Sequence, residues 1–375
     1  MPEEPENVAS KDSITRPRRP RRGAETAPGK VTLDMVAAAA GVSAATVSRI
    51  LNGTAMVSDD KRAAVDEAIA RLGFVPNPVA RGLAGGRTLS IGVVTQAIDS
   101  PFYGGALRGI EDTLTAAGYS PLFVSGQWSA AHEARCIDTL RGRRVDGIIV
   151  LTGRLSDAAL AATARELPVV VTGRSLRAPG LVALDFDNFQ GARLATQHLL
   201  ALGHRRIGFI CGDLKHPDGK ERLRGHRSAL ADAGIRAEPA LELPGNFTEA
   251  SGLAAAERLI DSGEAFTALF ASNDQMAFGA ALALHRRRLR VPDDVSLVGF
   301  DDVAGSVYCV PPLTTVHHPV LELGELAARA MLQLLAGEMP TLALPAPRLM
   351  VRESTREPRS PRGRQQRDPA APSPR

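Results

Sequence analysis

The pattern of apolar and polar positions changes character along this 375-residue chain. Between residues 30 and 75, apolar positions recur at helical spacing in three short segments. From Leu89 onward, short continuous apolar runs alternate with amphipathic stretches of helical length. Continuous apolar runs between helices are typical of parallel strands that are buried on both faces. The pattern therefore predicts a small helical head followed by a larger α/β core.

The first two predicted helices have clear end signals. Thr32 is expected to cap a helix over 33–40, which ends at Gly41 because glycine readily adopts the left-handed conformation of a helix C-terminus. Ser43 is expected to cap a second helix over 44–52. Two short helices joined by a tight turn predict a helix-turn-helix arrangement.

A third helix is predicted over 59–72, with Ser58 as its cap and Gly73 just after its end. Together the three helices would form a head with one shared core. The apolar positions expected in that core are Val36, Val42, Val47, Ile50, Val65, Ile69 and Leu72.

The core is expected to contain at least eight strands, most of them separated by helices. At about 265 residues it predicts two lobes, each with a parallel sheet. Ligands of such sheets bind beyond the carboxyl ends of the strands, so polar residues there are the candidates for binding. The predicted strands lie within 91–94, 122–124, 147–151, 169–171, 181–184, 207–210, 268–270 and 295–298.

Three segments outside these units are polar or rich in proline, glycine and arginine. The two ends can bury too little apolar surface to offset their ordering entropy, so both are expected to be disordered. They would serve either as solubilising tails or as arms that attract phosphates. After the head, Asn77 and Pro78 are expected to begin a short helix, and Gly85 and Gly86 are expected to end it. A helix this short does not persist alone in water and could fold on a partner.

These signals divide the chain into five parts. They are a disordered basic arm (1–29), a helix-turn-helix head (30–76), a hinge (77–88), a two-lobed core (89–354) and a disordered basic tail (355–375).

Charge and cysteine usage narrow the class of protein. The net charge is +4, yet the part from 91 to 351 carries 25 Lys and Arg against 28 Asp and Glu. Basic ends around an acidic middle indicate that the ends contact a polyanion. Three widely spaced cysteines fit neither a disulfide framework nor a zinc site, and no apolar run is long enough for a signal or a membrane span. We therefore expect a cytoplasmic protein.

The second predicted helix presents a face suited to DNA. Hydroxyl and amide groups bind phosphates and base edges, and Arg49 could pair with guanine in the major groove. The alternative is an ordinary three-helix bundle with a polar face. The residues on the exposed face are Ser43, Ala44, Ala45, Thr46, Ser48, Arg49 and Asn52.

Several motifs of the head and hinge together resemble the lactose repressor (LacI/GalR) family of bacterial transcriptional regulators, and the resemblance covers about residues 30–354. The motifs are Thr32-Leu, Ala40-Gly-Val-Ser43, Thr46-Val-Ser-Arg-Ile-Leu-Asn52, Val57-Ser58, Gly73-Phe-Val-Pro-Asn-Pro78 and Ala80-Arg-Gly-Leu-Ala-Gly85.

The resemblance implies a helix-turn-helix head on a two-lobed, type I periplasmic-binding-protein-like core. It also implies a homodimer on an inverted-repeat operator in double-stranded DNA, whose affinity responds to a small-molecule effector, most often a sugar. Thr32 and the exposed face of the second helix would contact DNA. Leu83 would be the hinge wedge that opens the central base step from the minor groove.

Polar clusters follow several predicted strands of the core. Asp and Asn side chains pair well with sugar hydroxyls, and aromatic rings stack on sugar faces. Taken alone, the same residues are more often helix caps. The resemblance favours effector contacts instead. It implies that Asp301 accepts from an effector hydroxyl, Arg222 donates, Asn273 makes an amide contact, Phe247 stacks, and Phe102 lies in a loop that closes over the ligand.

The sequence departs from the family pattern at three places. Thr172-Gly-Arg174 replaces an Asp-Arg pair, His226 stands where apolar residues are common, and the tail has no leucine heptads. On an extended segment, the adjacent His317 and His318 would point to opposite faces, so no metal site is expected there. No cofactor and no catalytic set of residues is expected either. The alternatives to a regulator that responds to a sugar are the same regulator with a non-sugar effector, a sugar-transport binding protein without regulatory DNA binding, and a sugar-acting enzyme.

Overall fold

In a computed structural model of the chain, the structure describes residues 31–52, 57–75, 87–342 and 344–359. Contacts divide the chain into two units, a head and a core, and each is described by itself. The predicted arm over 1–29, the hinge wedge Leu83 and the tail beyond 359 lie outside the described residues.

The head contains the three predicted helices, α1 (Leu33–Ala40), α2 (Ala44–Asn52) and α3 (Asp59–Leu72). Thr32 caps α1, since its hydroxyl accepts a hydrogen bond from the Met35 N–H at 3.3 Å. Ser58 precedes α3 but makes no side-chain capping bond there. The predicted head core is confirmed: its centre is Val36, Val47 and Val65, with Ile50 buried and Val42, Ile69 and Leu72 partly buried around them.

Lobe 1 of the core is built on a five-stranded sheet with the order β2-β1-β3-β4-β5, and all its pairs are parallel. The inner strands β1, β3 and β4 are buried, as expected for parallel strands covered on both faces, whereas the edge strand β2 is only partly buried. The elements are β1 (Ser90–Thr95), α4 (Pro101–Ala116), β2 (Ser120–Ser125), α5 (Ala130–Gly142), β3 (Gly147–Val150), α6 (Asp157–Ala164), β4 (Val169–Thr172) and β5 (Leu181–Leu184).

Lobe 2 is built on a six-stranded sheet with the order β11-β10-β9-β8-β6-β7, in which β11 alone is antiparallel. Short 3₁₀ turns occupy Pro239–Leu241 and Ala304–Val307. Its elements are α7 (Asn188–Ala201), β6 (Ile207–Ile210), α8 (Pro217–Asp232), β7 (Glu242–Leu243), α9 (Glu249–Asp261), β8 (Ala268–Ala271), α10 (Asp274–Arg286), β9 (Ser296–Asp301), β10 (Thr314–His317) and β11 (Arg348–Met350).

The chain crosses between the lobes after β5, after β10 and after α11 (Val320–Leu335). Helix α11 follows a strand of lobe 2 but packs against α4 and the sheet of lobe 1. Its side chains Leu323, Ala327 and Met331 are buried in the lobe 1 core. The predicted two-lobed α/β fold with parallel sheets is therefore confirmed.

The eight predicted strands are confirmed, but β7, β10 and β11 were not predicted. Strand β7 has two residues and β11 three, which is too short for a periodic signal. Strand β10 begins Thr314-Thr315, and both threonines are fully buried although they are polar. Their burial depends on hydrogen bonds to Ser354 and Asp274, which hydrophobic patterning does not report.

Among the described residues, no single helix has the length and apolarity of a membrane span. Helices α1 and α2 reach that length and apolarity only when they are taken together, and a bend of 103° separates them. That bend is the turn of the helix-turn-helix unit.

Candidate DNA-binding and effector-binding sites

The candidate DNA-binding face is carried by α2. Ser43 begins the helix, and its hydroxyl accepts from the Thr46 N–H at 3.2 Å and lies 2.9 Å from the Thr46 hydroxyl. Gly41, with φ of +65°, makes the turn before it. Val47 and Ile50 are buried on the opposite side of α2, so the helix is held by one face and presents the other.

The polar face of α2 is accessible in the head. Ser43, Ala45 and Arg49 are exposed, while Ala44, Thr46 and Ser48 are partly buried. No ion pair of Arg49 occurs within residues 31–52 and 57–75, so its guanidinium is available to a base or phosphate. Thr32 is already engaged as the cap of α1. The Asn52 side chain and Leu83 lie outside what the structure describes.

The candidate effector site is a cavity of about 220 Å³ between the lobes of the core. It lies beyond the carboxyl ends of β1, β2, β6, β7, β8 and β9, where the parallel-sheet rule places ligands. All five predicted effector residues line it. They are Phe102, Arg222, Phe247, Asn273 and Asp301.

Arg222 projects from α8 and is almost fully buried in the floor of this cavity. Its Nε donates to Oδ1 of Asn188 at 2.8 Å, and its Nη1 donates to the carbonyl oxygen of Ser272 at 2.5 Å. The guanidinium also lies 3.7 Å from the centre of the Phe300 ring, a cation–π contact. These contacts fix the guanidinium and leave Nη2 for Asp301 and a ligand.

Asp301 ends β9 and is buried beside Arg222, with 3.1 Å between its Oδ1 and Nη2. The pair is close but not aligned as a hydrogen bond, and Oδ1 has no hydrogen-bond partner within the described core. Burial raises the pKa of Asp301 to about 7, and Arg222 opposes that rise. The backbone has φ of +104°, a strained conformation that typically marks a functional position. This carboxyl is suited to accept ligand hydroxyls.

Asn273 and Phe247 are linked to each other at the wall of the cavity. Asn273 caps α10, because its Oδ1 accepts from the Met276 N–H at 3.0 Å. Its Nδ2 donates to the carbonyl oxygen of Phe247 at 3.0 Å. Phe247 has φ of +70°. Asn273 therefore performs the capping role and also fixes the backbone that carries the stacking ring.

Phe102 lines the cavity from lobe 1, but it does not lie in a loop. It is the second residue of α4, and its ring makes edge contacts with Tyr103 at 5.2 Å and with His318 at 5.1 Å. The expectation of a closing loop at this residue is wrong, because Pro101 starts the helix immediately before it. Phe102 moves with α4 and hence with lobe 1.

Two contacts join the lobes at the rim of the cleft. The Ser100 hydroxyl donates to Oε1 of Gln275 at 3.2 Å, and Arg154 forms an ion pair with Asp213. Each contact joins a loop at the carboxyl end of a lobe 1 strand to a segment of lobe 2. The two lobes are therefore joined at two points of the cleft.

The head and the core match two different families of known proteins. Residues 32–77 match the model of bacterial regulatory proteins of the lacI family, and residues 196–355 match a periplasmic binding protein-like domain. The regulator CelR of Thermobifida fusca is 38% identical over 334 residues, which are 86% of this chain and 98% of that protein. The chain belongs to the lacI family.

Other members of the lacI family are similar over the same span. GalR of Salmonella typhimurium is 39% identical over 315 residues, 83% of this chain and 91% of that protein. A solved lac repressor dimer bound to operator and an anti-inducer has a TM-score of 0.77 at 30% identity, and covers 88% of this chain and all of its own. A solved CelR–cellobiose complex has a TM-score of 0.65 at 36% identity. The match covers 87% of this chain and all of that chain.

Family membership settles the broad function. This lacI-family chain is a DNA-binding transcriptional regulator with a helix-turn-helix head and a periplasmic-binding-protein-like core, and the named relatives are regulators rather than enzymes. The head distinguishes it from a transport binding protein with the same kind of core.

Sequence reasoning missed two aromatic residues of the cavity in this lacI-family core, Trp128 and His216. Trp128 follows β2 and His216 precedes α8, so the rule that ligands bind at strand ends would have found both. Burial raises the pKa of the Tyr103 phenol well above its usual value, which keeps that side chain neutral.

The departures from the family pattern have local explanations. Gly173 has φ of +68° and lies against Thr152, and the neighbouring Arg174 donates to the carbonyl oxygens of Gly153 and Leu155. His226 is buried in lobe 2, stacked on a phenylalanine ring. Burial lowers its pKa to about 3, so it is a neutral core residue.

The adjacent histidines divide between two environments. His317 lies 2.9 Å from Asp302, whose other oxygen accepts from Arg352. His318 is buried and stacks on Phe186 with 3.9 Å between the ring centres. Across the described ranges, no cluster of three or more His, Cys, Asp or Glu side chains has the arrangement of a metal site.

Proposed function

We propose that this regulator is a repressor whose operator affinity is changed by a sugar or sugar derivative bound in the cleft between the lobes. The observation that carries the proposal is the buried Asp301–Arg222 pair, whose Oδ1 has no hydrogen-bond partner within the described core. A carboxylate and a guanidinium side by side offer an acceptor and a donor to neighbouring hydroxyl groups. That CelR was solved with cellobiose supports a sugar.

The aromatic lining supports the same class of ligand. Phe102, Trp128 and Phe247 contribute rings to the cavity, and such rings cover the apolar faces of a pyranose. The ligand would be bound without chemical change, and the protein would act in the cytoplasm without a metal or cofactor. A non-sugar effector with adjacent hydroxyl groups is the second candidate, since the Asp301–Arg222 pair recognises hydroxyls rather than a whole sugar.

For DNA we propose that α2 enters the major groove. Ser43, Ala44, Ala45, Thr46 and Ser48 would lie against base edges and phosphates, and Arg49 would pair with a guanine. Asn52 and Thr32 would contact the backbone, and Leu83 would be the minor-groove wedge. One recognition helix per chain requires two chains to read an inverted repeat.

We infer that the operator-binding form is a homodimer, as in the solved lac repressor dimer. An apolar surface of lobe 2 supports this inference. The segment after β9 exposes Val307, Tyr308 and Val310, and α10 exposes Leu282. Apolar side chains clustered in this way mark protein interfaces. A second copy of the chain would cover them.

The ligand would act through lobe closure. A ligand shifts a conformational equilibrium only if its affinity differs between the two states. The cavity takes residues from both lobes, so a ligand in it favours the closed arrangement. The coupling between ligand and DNA is typically about 1–3 kcal/mol and must be reciprocal.

The test uses the single tryptophan of the chain, Trp128, as the reporter of binding. Sugars are titrated by fluorescence and calorimetry, with and without operator DNA. We expect at least one sugar to change operator affinity and operator DNA to change the affinity for that sugar by the same factor. Asp301→Ala should abolish the response and leave ligand-free operator binding intact. The matched control is Asp112→Ala, an exposed carboxylate of α4.

Two outcomes would contradict the proposal. If Asp301→Ala binds the active sugar as wild type does, the effector lies elsewhere. If the sugar is recovered chemically altered, the core is not a passive sensor.

A further inference from the structure

The cleft between the lobes has two compartments with a common wall. The inner one is the effector cavity of about 220 Å³. The outer one has a volume of about 1010 Å³ and is lined by the segments after β3, β4 and β5 and by the start of α8. His216 and Asp218 line both compartments. A ligand that passes from one to the other must therefore contact this wall.

His216 holds a hydrogen-bond donor at that wall. Its Nδ1 accepts from the Asp218 N–H at 3.2 Å, so Nδ1 carries no proton and the ring hydrogen lies on Nε2. Burial lowers the pKa of His216, which keeps the ring neutral in this tautomer. Nε2 is buried and has no hydrogen-bond partner in the described part of the chain. A buried donor without a partner is destabilising, and a ligand oxygen would satisfy it.

Two aromatic rings flank this donor. The His216 ring is edge-on to Trp128, with 5.1 Å between centres and 86° between planes, and edge-on to Phe247 at 6.1 Å and 87°. The donor therefore lies beside two of the aromatic rings that line the inner cavity.

The outer compartment favours an uncharged ligand. Its three arginines already have carboxylate partners, since Arg154 pairs with Asp213, Arg174 with Asp157 and Arg224 with Glu221. The remaining cation of its lining, Lys215, interacts electrostatically with Asp213. An ionic ligand would have to displace these partners, whereas hydroxyl groups can share them. Gly173 adds no side chain to this wall, and its φ of +68° together with the close approach of Thr152 excludes one.

We propose that the effector is a neutral glycan of at least two rings, with one ring in the inner cavity, the next in the outer compartment and an oxygen near their linkage bound to His216 Nε2–H. The inner cavity is smaller than the roughly 300–1,000 Å³ of typical ligand pockets, so it suits a single ring. The inference rests on the proposed sugar effector and specifies its size.

The experiment measures affinities of the full-length protein by calorimetry and by Trp128 fluorescence. The probes are glucose, galactose and ribose against cellobiose, lactose and maltose. We expect at least one disaccharide to bind at least tenfold more tightly than its constituent monosaccharides, a difference of about 1.4 kcal/mol.

Variants of His216 then test the donor. His216→Asn keeps a capping side chain at the start of α8 but is too short to place a donor at the Nε2 position. It should lower disaccharide affinity about tenfold and leave monosaccharide affinity nearly unchanged. His216→Phe, which keeps a ring without a donor, should do the same. His285→Asn, on the exposed side of α10, is the control.

The possible outcomes distinguish a failure of the two-compartment site from a failure of the proposed sugar effector. Monosaccharides that bind as tightly as the disaccharides would overturn the two-compartment site. Unchanged disaccharide affinity in both His216 variants would overturn the role of Nε2–H. Binding by none of the sugars would contradict the sugar effector itself and this inference with it.

Discussion

The guanidinium of Arg222 lies 3.1 Å from Oδ1 of Asp301, and both side chains are buried. Arg222 is fixed from three sides by Asn188, the Ser272 carbonyl and the Phe300 ring. Oδ1 of Asp301 has no hydrogen-bond partner within the described core, and its polar neighbours are Arg222 and, at 3.9 Å, Nδ1 of His318. The pair is therefore asymmetric: the cation is held by the protein, and the anion faces the ligand cavity.

Arg222→Ala should lower the free energy of unfolding of the core by about 1–3 kcal/mol, because it leaves the buried oxygens of Asn188 and Ser272 without their donor. Urea denaturation at neutral pH measures the loss. Arg193→Ala, which breaks the more exposed pair with Asp232, should cost about 1 kcal/mol or less. Equal losses of unfolding free energy in the two variants would show that the buried Arg222 contributes no more to stability than the more exposed Arg193.

Stability should fall as pH rises through the range in which Asp301 ionises. The pKa of Asp301 is raised to about 7 and that of Asp274 to about 6, chiefly by burial, so both stay protonated in the folded state where the unfolded state has lost its protons. The unfolded state then binds fewer protons, and the free energy of unfolding decreases with rising pH from about 4 to about 7.

The comparison with Asp301→Asn isolates one of these groups. The stability of wild type relative to this variant should decline by about 1.4 kcal/mol per pH unit between pH 5 and 7. Thermal or urea unfolding of both proteins across this range measures the difference. A difference that does not change with pH would show that Asp301 is ionised throughout.

Arg49→Ala should cost about 1–3 kcal/mol at one base pair of each half-site and relax specificity there. The reason is the loss of a bidentate contact with guanine. Binding to operators mutated at single positions locates the effect. Arg62→Ala, on the exposed side of α3, serves as the control for lost positive charge. A uniform loss across all sequences would instead mean a phosphate contact.

Leu83→Ala should weaken specific binding more than non-specific binding, since a wedge acts only where the central step is opened. Affinity for operator and for random DNA, each at several salt concentrations, distinguishes the two effects. The same hinge is predicted to fold on DNA. Protection of the amides of residues 79–84 from exchange in the free protein would contradict coupled folding.

Tyr308→Asp should shift the protein from dimer to monomer and weaken operator binding, because it places a charge within the exposed apolar surface of lobe 2. Sedimentation across a range of concentrations measures the change. Met339→Asp, at an exposed methionine beyond the end of α11, is the control. If Tyr308→Asp remains dimeric at the same concentrations as wild type, this surface is not the interface.

The head was predictable because its determinants are local. The caps Thr32 and Ser43 and the glycines Gly41 and Gly73 define where each helix begins or ends, and each acts within a few residues of itself. The strands of the core were predictable for a related reason, since apolar runs report burial directly. Strand β10 was missed because its buried threonines are stabilised by residues about 40 positions away.

The residues that line the effector site were predictable from the sequence, but the contacts that each of them makes were not. Strand-end placement and family resemblance brought Asp301, Arg222 and Phe247 together. Asn273 shows the limit, because one amide serves as helix cap and as backbone anchor, and its residue type fits either role. The strand-end rule could have placed His216 at the site, but its unpaired Nε2 was not predictable, because that depends on how α8 and the aromatic rings meet in three dimensions.

The position of α11 also constrains how the protein is made. This helix completes the core of lobe 1, yet it is encoded after nearly all of lobe 2. A nascent chain that has released only the first lobe from the ribosome still exposes the apolar surface against which Leu323 and Met331 later pack. Truncations that end before Val320 should therefore aggregate rather than yield a free first lobe, and chaperones should hold the chain until translation has passed α11.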